Sequence, residues 1–218
     1  MALDENIFST LKTFIESKND TLEFAILFGS SVLNVTPSQA DIDFKIFLRS
    51  EAPVDLRRQA AKFAQKINQK LSNISKPSSK DVPYEIKTII SKSTLESSLN
   101  LKAFININGD FAIPKICFTR KFLTSEECQM RTVLSSLTTP NRLIAGDAYV
   151  FENVKKHAFK SLKKLICNVY DVDIDNIQQI LSLLLESPDG RRYKNYLGYN
   201  DSEDIKNHLL QHISDWNV

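Results

Sequence analysis

The sequence predicts an α+β chain in which strands and helices interchange up to about residue 120, followed by an all-helical half over residues 121–218. Three observations lead there. Short apolar runs at residues 23–29 and 41–48 have the length and alternation of strands. Stripes at helical spacing flank them. Beyond residue 120 the strand signals stop, and 3.6-residue periodicity continues almost to the end.

Taken in order, Ile7, Phe8, Leu11, Phe14 and Ile15 share one helical face. Glu23-Phe-Ala-Ile-Leu-Phe-Gly29 is an apolar run closed by glycine, the pattern of a buried strand. Asp41-Ile-Asp-Phe-Lys-Ile-Phe-Leu48 carries Ile42, Phe44, Ile46 and Leu48 at alternate positions, a period-2 signal. Leu56, Ala60, Phe63, Ile67 and Leu71 form a helical stripe, ended by the breaker run Ser75-Lys-Pro-Ser-Ser79. Residues 84–90 predict a third strand. Residues 103–113 predict a hairpin, with Asn108-Gly109 suited to a type I′ turn.

In the second half, Thr124-Ser-Glu-Glu127 has capping-box form, with Met130, Val133, Leu134 and Leu137 behind it. Pro140 interrupts the chain. Val150, Val154, Ala158, Leu162, Leu165 and Val169 predict one long helix. Ile177, Ile180, Leu181 and Leu184 predict another, and Ile205, Leu209, Ile213 and Trp216 a last one.

The bulk composition bounds the function. With 218 residues and 42% hydrophobic content the chain can bury a substantial core. Lys plus Arg total 28 against 26 Asp plus Glu, a net +2, so no broad basic surface for wrapping DNA is expected. Cys117, Cys128 and Cys167 are odd in number and scattered, which fits thiols in a reducing compartment. The opening residues lack a basic segment leading into an apolar run, and no stretch approaches the ~18 apolar residues of a membrane span. A cytoplasmic protein without a membrane partner is the expectation.

The chemistry concentrates at Asp41 and Asp43. Two residues apart in a strand, their side chains point to one face with Cα atoms roughly 6.5–7 Å apart. Carboxylates converging in this way repel unless a cation neutralises them. Mg²⁺ takes oxygen ligands, often one or two carboxylates together with substrate phosphates. An exposed acidic pair on an edge strand would explain D-x-D alone. Phe28-Gly29-Ser30-Ser31 makes the pattern more specific, because glycine lets backbone approach a phosphate and the serine hydroxyls can donate to it.

The combination of Phe28-Gly-Ser-Ser31, eleven residues between Gly29 and Asp41, and Asp41-Ile-Asp-Phe44 resembles the DNA polymerase beta-type nucleotidyltransferase superfamily. The resemblance covers residues 23–48 and extends loosely to about residue 90. It implies a mixed-sheet nucleotidyltransferase core over residues 1–120, flanked by helices, with a helical C-terminal domain over 121–218. It also implies two Mg²⁺ ions, with Mn²⁺ a possible substitute, and ATP or another NTP as donor. A third carboxylate on a neighbouring strand belongs to the pattern, and Glu85 is the matching choice over Asp81 and Asp110. Asp41, Asp43 and Glu85 would then be the catalytic metal ligands. Gly29, Ser30 and Ser31 would bind the triphosphate. Where small members carry a further glycine, this chain has Val32-Leu-Asn-Val35, and where they have serine before the first aspartate it has Ala40.

Other signals have plainer explanations. Lys156, Lys160, Lys163 and Lys164 lie opposite an apolar stripe, as on a solvated helix face, with Lys160 the candidate to meet the nucleotide. Residues 191–199 interleave basic and aromatic side chains, as a base-stacking surface or a polar connection would. His208 and His212 lack an evident third metal ligand, and Asp171–Asp175 lacks the glycine and closing glutamate of a calcium loop. The expected reaction moves a nucleoside monophosphate, AMP if ATP is the donor, onto a hydroxyl of a small molecule, an RNA end or a protein. The alternative is a non-catalytic, antitoxin-like nucleotide-binding module of the same fold.

Overall fold

The computed structural model describes residues 5–18, 20–28, 32, 42–71, 88–111, 125–138 and 141–170. The described elements are α1 (Glu5–Glu16), β1 (Leu22–Phe28), β2 (Asp43–Leu48), α2 (Val54–Leu71), β3 (Ile89–Ile90), α3 (Lys92–Leu99), a 3₁₀ turn (Lys102–Phe104), α4 (Glu126–Thr138), β4 (Asn141–Gly146) and α5 (Ala148–Tyr170). The strands form one mixed sheet in the order β3-β2-β1-β4. β1 is antiparallel to both β2 and β4, and β3 runs parallel to β2.

Both faces of this sheet are covered. The odd–even alternation of β2 separates Ile42, Phe44, Ile46 and Leu48 from Phe47. The first set packs against Leu11 and Ile15 of α1 and Leu56, Ala60 and Ala64 of α2. Phe63 stacks on Phe14 with ring centroids 3.9 Å apart and meets Phe44 edge-on, so α1, α2 and β2 share one aromatic joint. On the opposite face Phe24 stacks on Phe47 at 4.4 Å and touches Phe151 of α5. Met130, Val133, Leu134 and Leu137 of α4 and Ala158 and Leu165 of α5 complete that layer. Every residue of β2 is therefore buried, polar ones included.

Several expectations change. Residues 141–146 form a strand, so the described part of residues 121–218 is not all helical. β4 is an edge strand, bulged between its pairings to Ala25 and Ile26, with no clean alternation of burial. Its conformation comes from pairing with β1, which no local periodicity signals. Of the third strand expected over residues 84–90, Ile89–Ile90 is described as a strand, and residues 84–87 lie outside the described residues. Residues 105–111 close as a single antiparallel bridge between Ile105 and Phe111. Gly109 has φ +88°, but Asn108 does not share a positive φ, so the turn is not type I′. Instead the Asn106 carbonyl accepts from Gly109 N–H, and its side chain accepts from Asn108 N–H and Asp110 N–H.

Helix α4 takes its cap from Ser125, whose hydroxyl accepts from Cys128 N–H at 3.1 Å, one position beyond the capping box read in the sequence. Asp147 caps α5 by accepting from Tyr149 N–H and Val150 N–H. The helices predicted around Ile177–Leu184 and Ile205–Trp216 lie outside the described residues, as do residues 191–199, His208 and His212.

Candidate functional site

The sheet register gathers three chain ends at one place. β1 finishes at Phe28, directly across from Asp43, the first residue of β2. On its other side Phe28 pairs with Asn141, the first residue of β4. β3 runs parallel to β2, so its leading end points to the same end of the sheet. A row Asp43–Phe28–Asn141 thus crosses the sheet where the chain goes on from Phe28 into Gly29-Ser30-Ser31.

Asp43 is buried, with 8% of its surface exposed. Ile42 packs with Phe44 and Ile46 on the α1–α2 side, so strand alternation already holds at residue 42 and turns Asp43 to the α4–α5 side. Asn141 faces that side too, where its amide donates to the Ser136 and Leu137 carbonyls near the end of α4. These two carbonyls are among those a helix leaves unpaired at its C-terminus, so Asn141 joins β4 to α4.

Lys45 also points to this side. It has no solvent exposure. Its Nζ donates to Thr132 Oγ1 of α4 at 3.4 Å and lies 5.5 Å from the centroid of the Phe28 ring. Sequence reasoning missed Lys45 because a charged residue alternating with Phe44 and Ile46 reads as solvent-facing. What the pattern lacks is the cover of α4, a helix that meets the sheet only through tertiary packing.

Of the residues proposed from sequence, Asp43 and Lys160 are described. Lys160 is exposed on α5, whereas Asp43 is buried on β2. Gly29, Ser30, Ser31, Asp41 and Glu85 lie outside the described residues. Of the four lysines assigned to a solvated face, Lys156, Lys160 and Lys164 are exposed while Lys163 is buried. Lys164 rests its ammonium 5.5 Å from the Phe111 ring centroid. A long apolar stem lets lysine cover core surface, which is why the stripe alone does not separate these positions.

Glu51 shows a different kind of electrostatic control. Ser93 donates from its hydroxyl and its backbone N–H, Ser91 adds a hydroxyl, and Arg57 is nearby; the Ser93 hydroxyl is the largest influence holding the Glu51 carboxyl below its ordinary range. The site is the first turn of α3, where Ser91 is the N-cap and accepts from Thr94 N–H at 3.2 Å. Glu51 thus brings an acceptor to free donors at a helix start, a structural task.

Among the described residues no group of three or more His, Cys, Asp or Glu side chains is arranged to hold a metal ion. No helix among them is long and apolar enough to cross a membrane. No family model, no curated protein and no solved structure matches the chain.

Proposed function

We propose that the chain is a Mg²⁺-dependent nucleotidyltransferase that moves a nucleoside monophosphate from an NTP, with ATP as the expected donor, to a hydroxyl acceptor and releases pyrophosphate. The observation that carries this reading is the antiparallel register of Phe28 with Asp43. It sets the strand end that continues into Gly29-Ser30 directly beside the strand start that bears the acidic motif. A phosphate held at the first would lie next to cations held at the second.

The donor chemistry fits the metal: a carboxylate fixed at the start of a strand is a hard oxygen ligand of the kind Mg²⁺ takes beside substrate phosphates. In this reading Asp41 and Asp43 hold the ions and Glu85 completes the set. When bound, the ions supply electrostatic stabilisation to the phosphoryl being displaced. The chain's own residues do the rest. Gly29 and Ser30 orient the triphosphate, Asp43 keeps its carboxylate at a fixed point on a rigid strand, and the packed helices behind it exclude water.

A second reading, a non-catalytic module of the same fold, draws on Lys45. A buried ammonium on the face that bears Asp43 supplies a positive charge there without any metal. Pyrophosphate release from ATP and Mg²⁺ over a panel of small-molecule, RNA and protein acceptors separates the two. Release that disappears in a folded Asp43→Ala variant supports the enzyme. Nucleotide binding with no release for any acceptor supports the module.

A further inference from the structure

A lysine removed from solvent is costly unless its charge is answered, and the contacts of Lys45 show where its ammonium goes. Across the ladder Lys45 pairs with Ile26, while Asp43 pairs with Phe28. A side chain standing straight off the sheet would reach the surroundings of Ile26. Instead Nζ lies 5.5 Å from the Phe28 ring centroid, two residues along β1 and toward the end where Asp43 begins β2. Thr132 bounds it from α4. The Thr132 hydroxyl donates its own proton to the Gln129 carbonyl at 2.9 Å, so toward Lys45 it offers lone pairs. Asp43 sits two residues before Lys45, on the same face of the same strand, and is itself buried.

We propose that Lys45 is the resident counter-charge of Asp43, a positioning residue that holds this carboxylate and competes with a divalent cation for it. The identity of that cation rests on the nucleotidyltransferase reading; the pairing rests on the sheet geometry alone. While the ammonium answers the Asp43 carboxylate, the strand start has one negative charge fewer with which to draw in a metal. A triphosphate brings its own negative charge to the same end of the sheet. The metal therefore enters with the nucleotide, and the bare chain binds it weakly.

The test uses the full chain and Mn²⁺ as the probe, with free ion counted by electron paramagnetic resonance in the absence of nucleotide. Lys45→Met is expected to bind Mn²⁺ about tenfold more tightly than the wild type, and Lys45→Arg, which keeps the charge, to stay weak. In parallel, urea unfolding of Asp43→Asn, Lys45→Met and the double variant is expected to be non-additive by about tenfold in the folding equilibrium. If Lys45→Met alone does not fold, recovery of folding in the double variant reports the same coupling. Additive effects, or a double variant no better than Lys45→Met, overturn the pairing. Coupling with unchanged Mn²⁺ affinity in Lys45→Met overturns the competition. Coupling with no Mn²⁺ bound by any form, nucleotide present or absent, leaves the pair standing and removes the nucleotidyltransferase reading instead.

Discussion

Replacing Gly146 with alanine tests the junction that delivers β4 and α5 to the sheet. Gly146 ends β4 with φ +97° and pairs with Phe24. A Cβ there would collide with the Glu23 carbonyl oxygen, and would come within 2.5 Å of Phe24 Cα and 3.0 Å of Glu23 C. All three are backbone atoms, so relief requires moving β1 itself. The same Glu23 carbonyl accepts from Asp147 N–H at 3.0 Å, next to the cap of α5. Two costs add: a left-handed backbone at a residue with a side chain, about 1–2 kcal/mol, and overpacking against atoms that cannot yield, about 1–3 kcal/mol. Their sum, about 2–5 kcal/mol, is a large part of a typical domain stability of roughly 5–15 kcal/mol. Gly109→Ala is the internal control, since Gly109 has φ +88° but nothing within 4 Å of an added Cβ. It carries the backbone cost alone, about 1–2 kcal/mol. Urea unfolding followed by circular dichroism measures both. Gly146→Ala within about 0.5 kcal/mol of wild type, or no worse than Gly109→Ala, would refute the reasoning.

Two further perturbations probe local devices. Asp147→Ala removes the acceptor for Tyr149 N–H and Val150 N–H and is expected to cost about 1 kcal/mol in the same unfolding assay, whereas Asp147→Asn should retain most of it. Because the Glu51 carboxyl is held below its ordinary range in the fold, its stabilising effect is present above the unfolded value and is lost as pH falls through the lowered folded one. The melting temperature of Glu51→Gln should therefore lie below that of wild type at neutral pH, with the gap closing in acid; a gap that is constant with pH would exclude the carboxylate.

The parts of this fold written in local sequence were legible. The run closed by Gly29 gives β1, and the alternation from Ile42 to Leu48 gives β2 with its two faces. The Leu11/Ile15 and Leu56/Ala60 stripes give α1 and α2, on the sheet face expected of buried stripes. What was not legible depends on partners distant in the chain. β4 is a strand because β1 offers it a ladder, and its sequence from Asn141 to Gly146 has neither alternation nor a long apolar run. Lys45 is buried because α4, some ninety residues later in the chain, lies over it. Ser125 rather than Thr124 caps α4, a choice that depends on where the first turn closes. At the site, the alternation that groups Asp41 with Asp43 also sets Lys45 on their face, but the burial of Asp43 and Lys45 depends on elements distant in the chain that no local pattern signals.

The most direct measurement of the central claim follows the α-phosphate of ATP. The chain, Mg²⁺ and ATP radiolabelled at that phosphate are incubated with a pool of cellular small molecules, RNA and protein stripped of their own enzyme activity. Label entering an acceptor with release of pyrophosphate, abolished by Asp43→Asn in a variant that melts like the wild type or higher, is the predicted result. No transfer from the wild type, or equal transfer by the Asp43→Asn variant, would contradict it.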